Sequence, residues 1–170
     1  DNLGVRFATG GPGAFNLFSG MAVAYSDSLP VLAITGYASA NVRGKGCLNE
    51  SSGLSRTPDS HKMFSATTKK SYIIEDASQT CDILEDAINT AFDGRPGPVH
   101  IHVPKNITTA EVPNFRSVKL NVRPCAPKPT AAREFALRLS TALERAEKIL
   151  LLVGYGCIRA GAKEALLALI

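Results

Sequence analysis

The stretch PVLAITG, residues 30–36, is apolar at consecutive positions rather than at alternate ones. A strand with one wet face alternates, whereas a strand that is apolar throughout is buried on both faces, as in parallel sheets covered by helices. Pro30 opens the run and Gly36 closes it. Neighbouring segments supply the rest of such a sheet. GVRFAT (4–9) reads as a short strand ended by a Gly-Pro turn. AFNLFSGMAVAYSD (14–27) sets Phe15, Phe18, Met21, Ala22 and Tyr25 at helical spacing. KKSYIIE (69–75) reads as another strand. Asp76 and Gln79 form a capping-box pair ahead of a helix whose core face is Ile83, Leu84, Ala87, Ile88, Ala91 and Phe92, with Gly94 past its end. RPGPVHIHVPK (95–105) gives a turn and the strand VHIHV, stopped by Pro104. Strands alternating with helices specify an α/β fold, a parallel sheet flanked by helices and joined by right-handed crossovers.

Two regions depart from that rhythm. Residues 37–66 are rich in Gly, Ser and Asn, with a short helix expected near 61–66; a connection this long in a compact domain is functional or mobile. Prolines at 113, 124, 127 and 129 exclude a long helix or a central strand and mark a linker. TAAREFALRLSTALERA (130–146) then reads as a helix capped by Thr130, with Phe135, Leu139 and Leu143 on its core face. KILLLVGYG (148–156) reads as a buried strand, and AGAKEALLALI begins a further helix. The expected organisation is one α/β domain over 1–112, a linker over 113–130, and a truncated second Rossmann-like α/β domain over 131–170. Asp1 falls at a strand entry and Ile170 within an apolar helical pattern, so the chain reads as a piece of a longer polypeptide.

Charge and composition narrow the function classes. The 19 basic and 15 acidic residues are scattered, leave a formal charge of +4, and are accompanied by no Trp, which argues against nucleic-acid binding. No apolar run is long enough to span a bilayer, and no signal peptide is recognisable. Cys47, Cys81, Cys125 and Cys157 have neither C-x-x-C nor metal-finger spacing and read as reduced thiols of a cytoplasm-like compartment. His100 and His102 share one strand face, but a metal pair needs further ligands that the sequence does not supply, so they read as packing residues and no metal site is expected.

The turn ATGGPGAFNLFSG (8–20) places Gly10, Gly11, Pro12 and Gly13 between a strand and a helix. Bare backbone there either serves a tight turn alone or admits a ligand against the main chain beside the helix N-terminus. G-x-G-x-x-G and the P-loop lysine are both missing, which disfavours nucleotide phosphate. Three segments together carry more. Thr9 to Gly20, Asp27 to Gly36, and GRPGPVHIHVPKNI (94–107) resemble, in order and spacing, the T-S-G-P-G-x-x-N-x-x-x-G, D-S-x-P-x-x-x-I-T-G and G-R-P-G-P-V-x-x-x-x-P-K-D segments of the acetolactate synthase-like superfamily of thiamine-diphosphate enzymes. The resemblance covers the pyrimidine-binding (PYR) domain over roughly 1–107, and the later residues resemble the entry to that family's central domain.

The resemblance implies an enzyme that decarboxylates or ligates 2-oxo acids, or a simple 2-oxo acid decarboxylase. It implies thiamine diphosphate with its pyrimidine on this domain and its diphosphate and Mg2+ on a PP domain of a partner subunit, hence a homodimer or homotetramer. FAD occurs on the central domain of some members only; here GYG (154–156) lacks the third glycine of a Rossmann turn. Gly11, Pro12, Gly13 and Asn16 match positions lining the pyrimidine, and Asn49 stands in LNE where relatives often carry the glutamine of F-Q-E. The family's activating glutamate lies upstream of the Gly-Pro-Gly turn, and none of Glu50, Glu75 or Glu85 occupies its place, so no catalytic residue is expected within this chain and the piece alone should be inactive. A non-catalytic PYR-like binding or regulatory module remains the alternative. Glu50 reads either as a structural acid or as a loop cap, His61 as a solvated or substrate-touching side chain, and Lys69 and Lys70 as strand-end charges or carboxylate binders.

Overall fold

The computed structural model describes residues 2–120 and 129–170. The described residues 2–120 form one compact unit and the described residues 129–170 a second. In the first, the order is β1 (Gly4–Ala8), α1 (Pro12–Ser26), β2 (Val31–Tyr37), α2 (Ser60–Thr67), β3 (Lys70–Ile73), a 3-10 turn (Ala77–Gln79), α3 (Thr80–Phe92), β4 (Val99–Pro104) and the single turn α4 (Lys105–Thr108). The four strands form one sheet in the order β1-β2-β4-β3, every pair parallel. The expected α/β sheet with flanking helices is therefore present.

The two faces of the sheet differ in chemistry. Leu32, Val99, Ile101, Tyr72 and Ile74 pack with Ala87 and Ala91 of α3, and the expected apolar residues Ile83, Leu84, Ile88 and Phe92 close around them. The opposite face packs Ala33 with Ala14 and Met21 of α1 and Phe64 of α2. That face is also where Thr35, His100 and His102 are buried. The capping box is formed: the Asp76 side chain accepts from the Ser78 amide, and Gln79 reaches back to the Asp76 amide. Arg95 of the Gly-Arg-Pro-Gly-Pro turn donates to the Ser26 carbonyl at 2.8 Å and to the Ser28 hydroxyl, fixing the end of α1.

Two expectations need correction. The core face of α1 is Ala14, Leu17, Phe18, Met21 and Ala24, about one residue out of phase with the predicted stripe, and Tyr25 is exposed. Alanines bring the helix close to the sheet, while Tyr25 is exposed and Phe15 only half-buried. In the second unit, α5 (Pro129–Arg145) covers the predicted helix and includes the last two residues of the expected linker; Pro129 is compatible with a first helical turn. The strand predicted at 148–156 is not formed: Leu150 and Leu152 are each 95% exposed, and the short helix α6 (Tyr155–Arg159) takes its end. A lone strand leaves its backbone donors and acceptors unpaired, and the described residues 129–170 otherwise hold only helices, including α7 (Lys163–Leu169). Phe135 is exposed, not on a core face. Pro124, Cys125 and Pro127 lie outside the described residues.

Candidate functional site

The first turn of α1 begins directly on the glycine turn. Gly11 is the N-cap, with φ 61° and ψ −122°, and Pro12 follows at the helix start. No side chain caps this end, so the first-turn amides lack the acceptor that a Ser or Asp would bring. The Phe15 amide donates to the Gly11 carbonyl at 3.0 Å, closing the first helical bond. Pro12 and Asn16 are exposed, one above the other on the same helix face, and Gly13 is half-buried.

The bare backbone is used by the chain itself. A Cβ on Gly10 would stand 2.9 Å from the Gly36 carbonyl oxygen, and one on Gly11 would stand 2.9 Å from the Asn49 carbonyl oxygen and 3.0 Å from its Cα. A Cβ on Gly13 would meet the Thr9 methyl at 2.7 Å. Gly11, Pro12 and Gly13 lie at the turn, Asn16 stands one helical turn beyond Pro12, and the loop returns to set the Asn49 backbone beside Gly11. Any external ring has the outer surface of Pro12 and Asn16 to lie on, rather than the space above Gly10 and Gly11, which backbone already fills.

The loop that carries Asn49 is held by Glu50. Its carboxylate accepts from the amides of Gly44, Gly46 (3.1 Å) and Cys47 (3.3 Å) and from the Ser52 hydroxyl (2.7 Å). The Gly44 amide, then Ser52, hold this carboxyl below the usual carboxylate range. Glu50 is therefore the loop cap. Asn49 takes φ 59°, a conformation asparagine tolerates better than most residues. Further on, Asp59 caps α2 by accepting from the Lys62 amide at 3.0 Å, a cap whose signal in the sequence is an Asp directly before the helix.

The other candidates are engaged. Glu75 forms a forked pair with Arg43 at 2.9 and 3.2 Å, and Glu85 pairs with Arg116. His61 is half-buried, with Nδ1 3.2 Å from Ser71 Oγ, so it is neither freely solvated nor aimed at the turn. Lys69 donates to the carbonyls of Thr90 (2.5 Å) and Asp93 at the end of α3, and Lys70 pairs with Asp86 at 2.7 Å above the Tyr72 ring. His100 and His102 are fully buried between hydroxyls and rings; Phe64 stacks on His100 with centroids 3.8 Å apart. Among the described residues no group of three or more His, Cys, Asp or Glu is close enough to hold a metal ion.

Residues 1–62, which include this turn and Asn49, match the family described as thiamine pyrophosphate enzyme, N-terminal TPP binding domain. Along most of its length the chain is similar to acetolactate synthases. It is 37% identical over 163 residues to the acetolactate synthase of Arthrospira platensis, covering 94% of this chain and 27% of that protein. To the large subunit of acetolactate synthase isozyme 2 from Escherichia coli K12 it is 37% identical over 166 residues, 96% of this chain and 28% of that protein. To a probable acetolactate synthase large subunit of Methanocaldococcus jannaschii it is 32% identical over 169 residues, 98% of this chain and 27% of that protein. The chain thus spans about a quarter of the length of the curated relatives it matches. No described helix is long and apolar enough to cross a membrane.

Proposed function

We propose that this chain supplies the pyrimidine-facing surface of a thiamine-diphosphate-dependent enzyme that decarboxylates or ligates 2-oxo acids. The observation that carries the reading is the gathering of Gly11, Pro12, Gly13, Asn16 and Asn49 at the start of α1, inside the segment matched by the TPP-binding family. These residues fit half of such a cofactor. Exposed amide side chains at Asn16 and Asn49 offer both donors and acceptors to a polar heterocycle edge, and Pro12 offers an apolar surface. Its diphosphate and Mg2+ are assigned in this reading to a PP domain of a second subunit, in a homodimer or homotetramer; among the described residues no carboxylate cluster for a metal ion occurs. When bound, the cofactor supplies a nucleophilic carbon and an electron sink. The residues here orient it; the turn is held by Gly36 and Asn49, and Glu50 is committed to its own loop. FAD, if used, would lie on the central domain. The reading places the enzyme in the cytoplasm; among the described residues Cys47, Cys81 and Cys157 are free thiols.

A second reading is a PYR-like module that binds without catalysing. Glu50, Glu75 and Glu85 are engaged within this chain and do not decide between the two readings; a glutamate upstream of the Gly-Pro-Gly turn in the full-length protein would. CO2 release from pyruvate and a panel of other 2-oxo acids by the full-length protein, with and without thiamine diphosphate and Mg2+, separates the two. Cofactor-dependent release supports the enzyme; cofactor binding with no release supports the module; equal rates with and without cofactor overturn the first reading.

A further inference from the structure

Thr35 Oγ1 lies 2.9 Å from His100 Nε2 and 3.0 Å from His102 Nδ1. Thr35 is 1% exposed and both imidazoles are 0% exposed. Burial is the main cause that lowers His100 to about 2 and His102 to about 3, so both rings are neutral near pH 7. A hydroxyl carries one proton, and a neutral imidazole carries one N–H and one bare nitrogen. Thr35 therefore donates to one ring and accepts from the other. If it donates to His102 Nδ1, both rings carry their proton on Nε2; if it donates to His100 Nε2, both carry it on Nδ1. A mixed pair is worse on either count: two N–H groups fill the lone pairs of the hydroxyl but leave its proton without another side-chain acceptor among the described residues, and two bare nitrogens compete for one proton.

The chain continues on both sides. His100 Nδ1 is 2.9 Å from Ser71 Oγ, which is 3.2 Å from His61 Nδ1. His102 Nε2 is 3.4 Å from Ser60 Oγ, while that oxygen is 2.9 Å from both the carbonyl and the hydroxyl of Ser51. The shorter geometry assigns the Ser60 proton to Ser51, and His102 Nε2 must then be the donor to Ser60. The Ser60 amide also donates to the Ser51 carbonyl, at 2.9 Å. Ser51 stands two residues beyond Asn49, whose backbone packs on Gly11.

We propose that Thr35 is a positioning residue for the cofactor turn: with both buried rings in the Nε2–H form, it anchors residues 49–51 through His102, Ser60 and Ser51, and so sets Asn49 against Gly11. The link to the cofactor rests on the function proposed above; the proton arrangement does not. The opposite arrangement would turn the Ser60 hydroxyl back towards His102 and take one bond from the loop.

Two measurements test this. In the full-length protein labelled on its histidine ring nitrogens, magnetic resonance reads each tautomer directly, and both His100 and His102 are expected as Nε2–H. A mixed pair, a charged ring near pH 7, or both rings as Nδ1–H overturns the proposal. In the same protein, Thr35→Val removes the hydroxyl while keeping the shape. Loss of one buried hydrogen-bond junction should raise the dissociation constant for thiamine diphosphate about ten-fold, with kcat at saturating cofactor within about two-fold. Thr35→Ser should restore affinity, and Ile101→Val, a core loss on the other sheet face, should leave it unchanged. A folded Thr35→Val protein with unaltered cofactor affinity overturns the positioning role, and if that variant does not fold the tautomers decide. Failure of the unsubstituted protein to bind thiamine diphosphate would instead remove the proposed function.

Discussion

The Cα of Gly11 faces the backbone of Asn49 so closely that a Cβ there would lie 2.9 Å from the Asn49 carbonyl oxygen. Gly11 also has φ 61°, so Gly11→Ala meets both backbone strain and a clash with another main chain. Gly46 has φ 74° but open space around its missing Cβ, which separates the two effects. Gly46→Ala should cost about 1 kcal/mol, the left-handed strain alone. Gly11→Ala should cost about 2–3 kcal/mol and weaken thiamine diphosphate binding, because the Asn49 loop or the turn must move. Thermal unfolding and cofactor titration of the two variants check this; equal effects would show that the contact is slack.

Glu50 should make its loop acid-labile and intolerant of an amide. Its depressed carboxyl contributes stability at pH values above the ordinary 4.5, and that contribution is lost as pH falls through the lower folded value. Glu50→Gln places an NH2 group among donors from Gly44, Gly46, Cys47 and Ser52. Amide hydrogen exchange over residues 44–52 should accelerate in the variant at neutral pH, and in the unsubstituted protein only in acid below the ordinary carboxylate range. Unchanged exchange in Glu50→Gln would mean that the loop is held elsewhere.

His100 and His102 should weaken the sheet at milder acidity. Their folded values lie at about 2 and about 3, against an ordinary 6.5. Below 6.5 the unfolded chain takes up protons at these rings and the folded chain does not, so stability falls with pH from 6.5 down to about 3. Each ring contributes about 1.4 kcal/mol per pH unit in that window, so protection of β2 and β4 amides should drop about a hundred-fold per unit, after correction for intrinsic exchange. His102→Asn should roughly halve that slope. A flat profile between pH 6.5 and 5.5 would show that water or rearrangement relieves the burial.

Legibility in the sequence followed the length scale of each interaction. The strands and helices of residues 4–104 rest on local periodicity and on caps within four residues, and they were readable. The face of α1 was misphased because Ala14 and Ala24, small but buried, carry little weight in an apolar pattern. The pairing of Thr35 with His100 and His102 spans 65 and 67 residues, and the sequence offered only two histidines on one strand face. The four donors around Glu50 are mostly backbone, to which residue identity is silent. At 148–156 the residues are apolar enough for a strand, but a strand is a property of pairs. The five candidate site residues rest on family resemblance; the crossing of Gly11 by Asn49, and of Gly10 by Gly36, has no local signal in the sequence.

Lys69 ties β3 to the far end of α3, and its environment predicts a change of sign. Its ammonium donates to the Thr90 and Asp93 carbonyls, acceptors that the helix end leaves unused, and its positive charge complements the helix dipole there. Its stem passes so close to Gly97 that a Cβ there would lie 3.0 Å from Lys69 Cγ and Cδ. Lys69→Met keeps the apolar stem and loses the charge-assisted bonds, so it should cost about 2 kcal/mol. Gly97→Ala in the unsubstituted protein should destabilise, because the stem must shift and pull the ammonium from its carbonyls. In a Lys69→Ala background that obstacle is gone, and since Gly97 is not among the positive-φ glycines, the same Gly97→Ala change should be neutral or stabilising by up to about 1 kcal/mol. A double-mutant cycle by chemical denaturation measures the coupling. Additive effects would mean that Gly97 is glycine for a reason other than the lysine beside it.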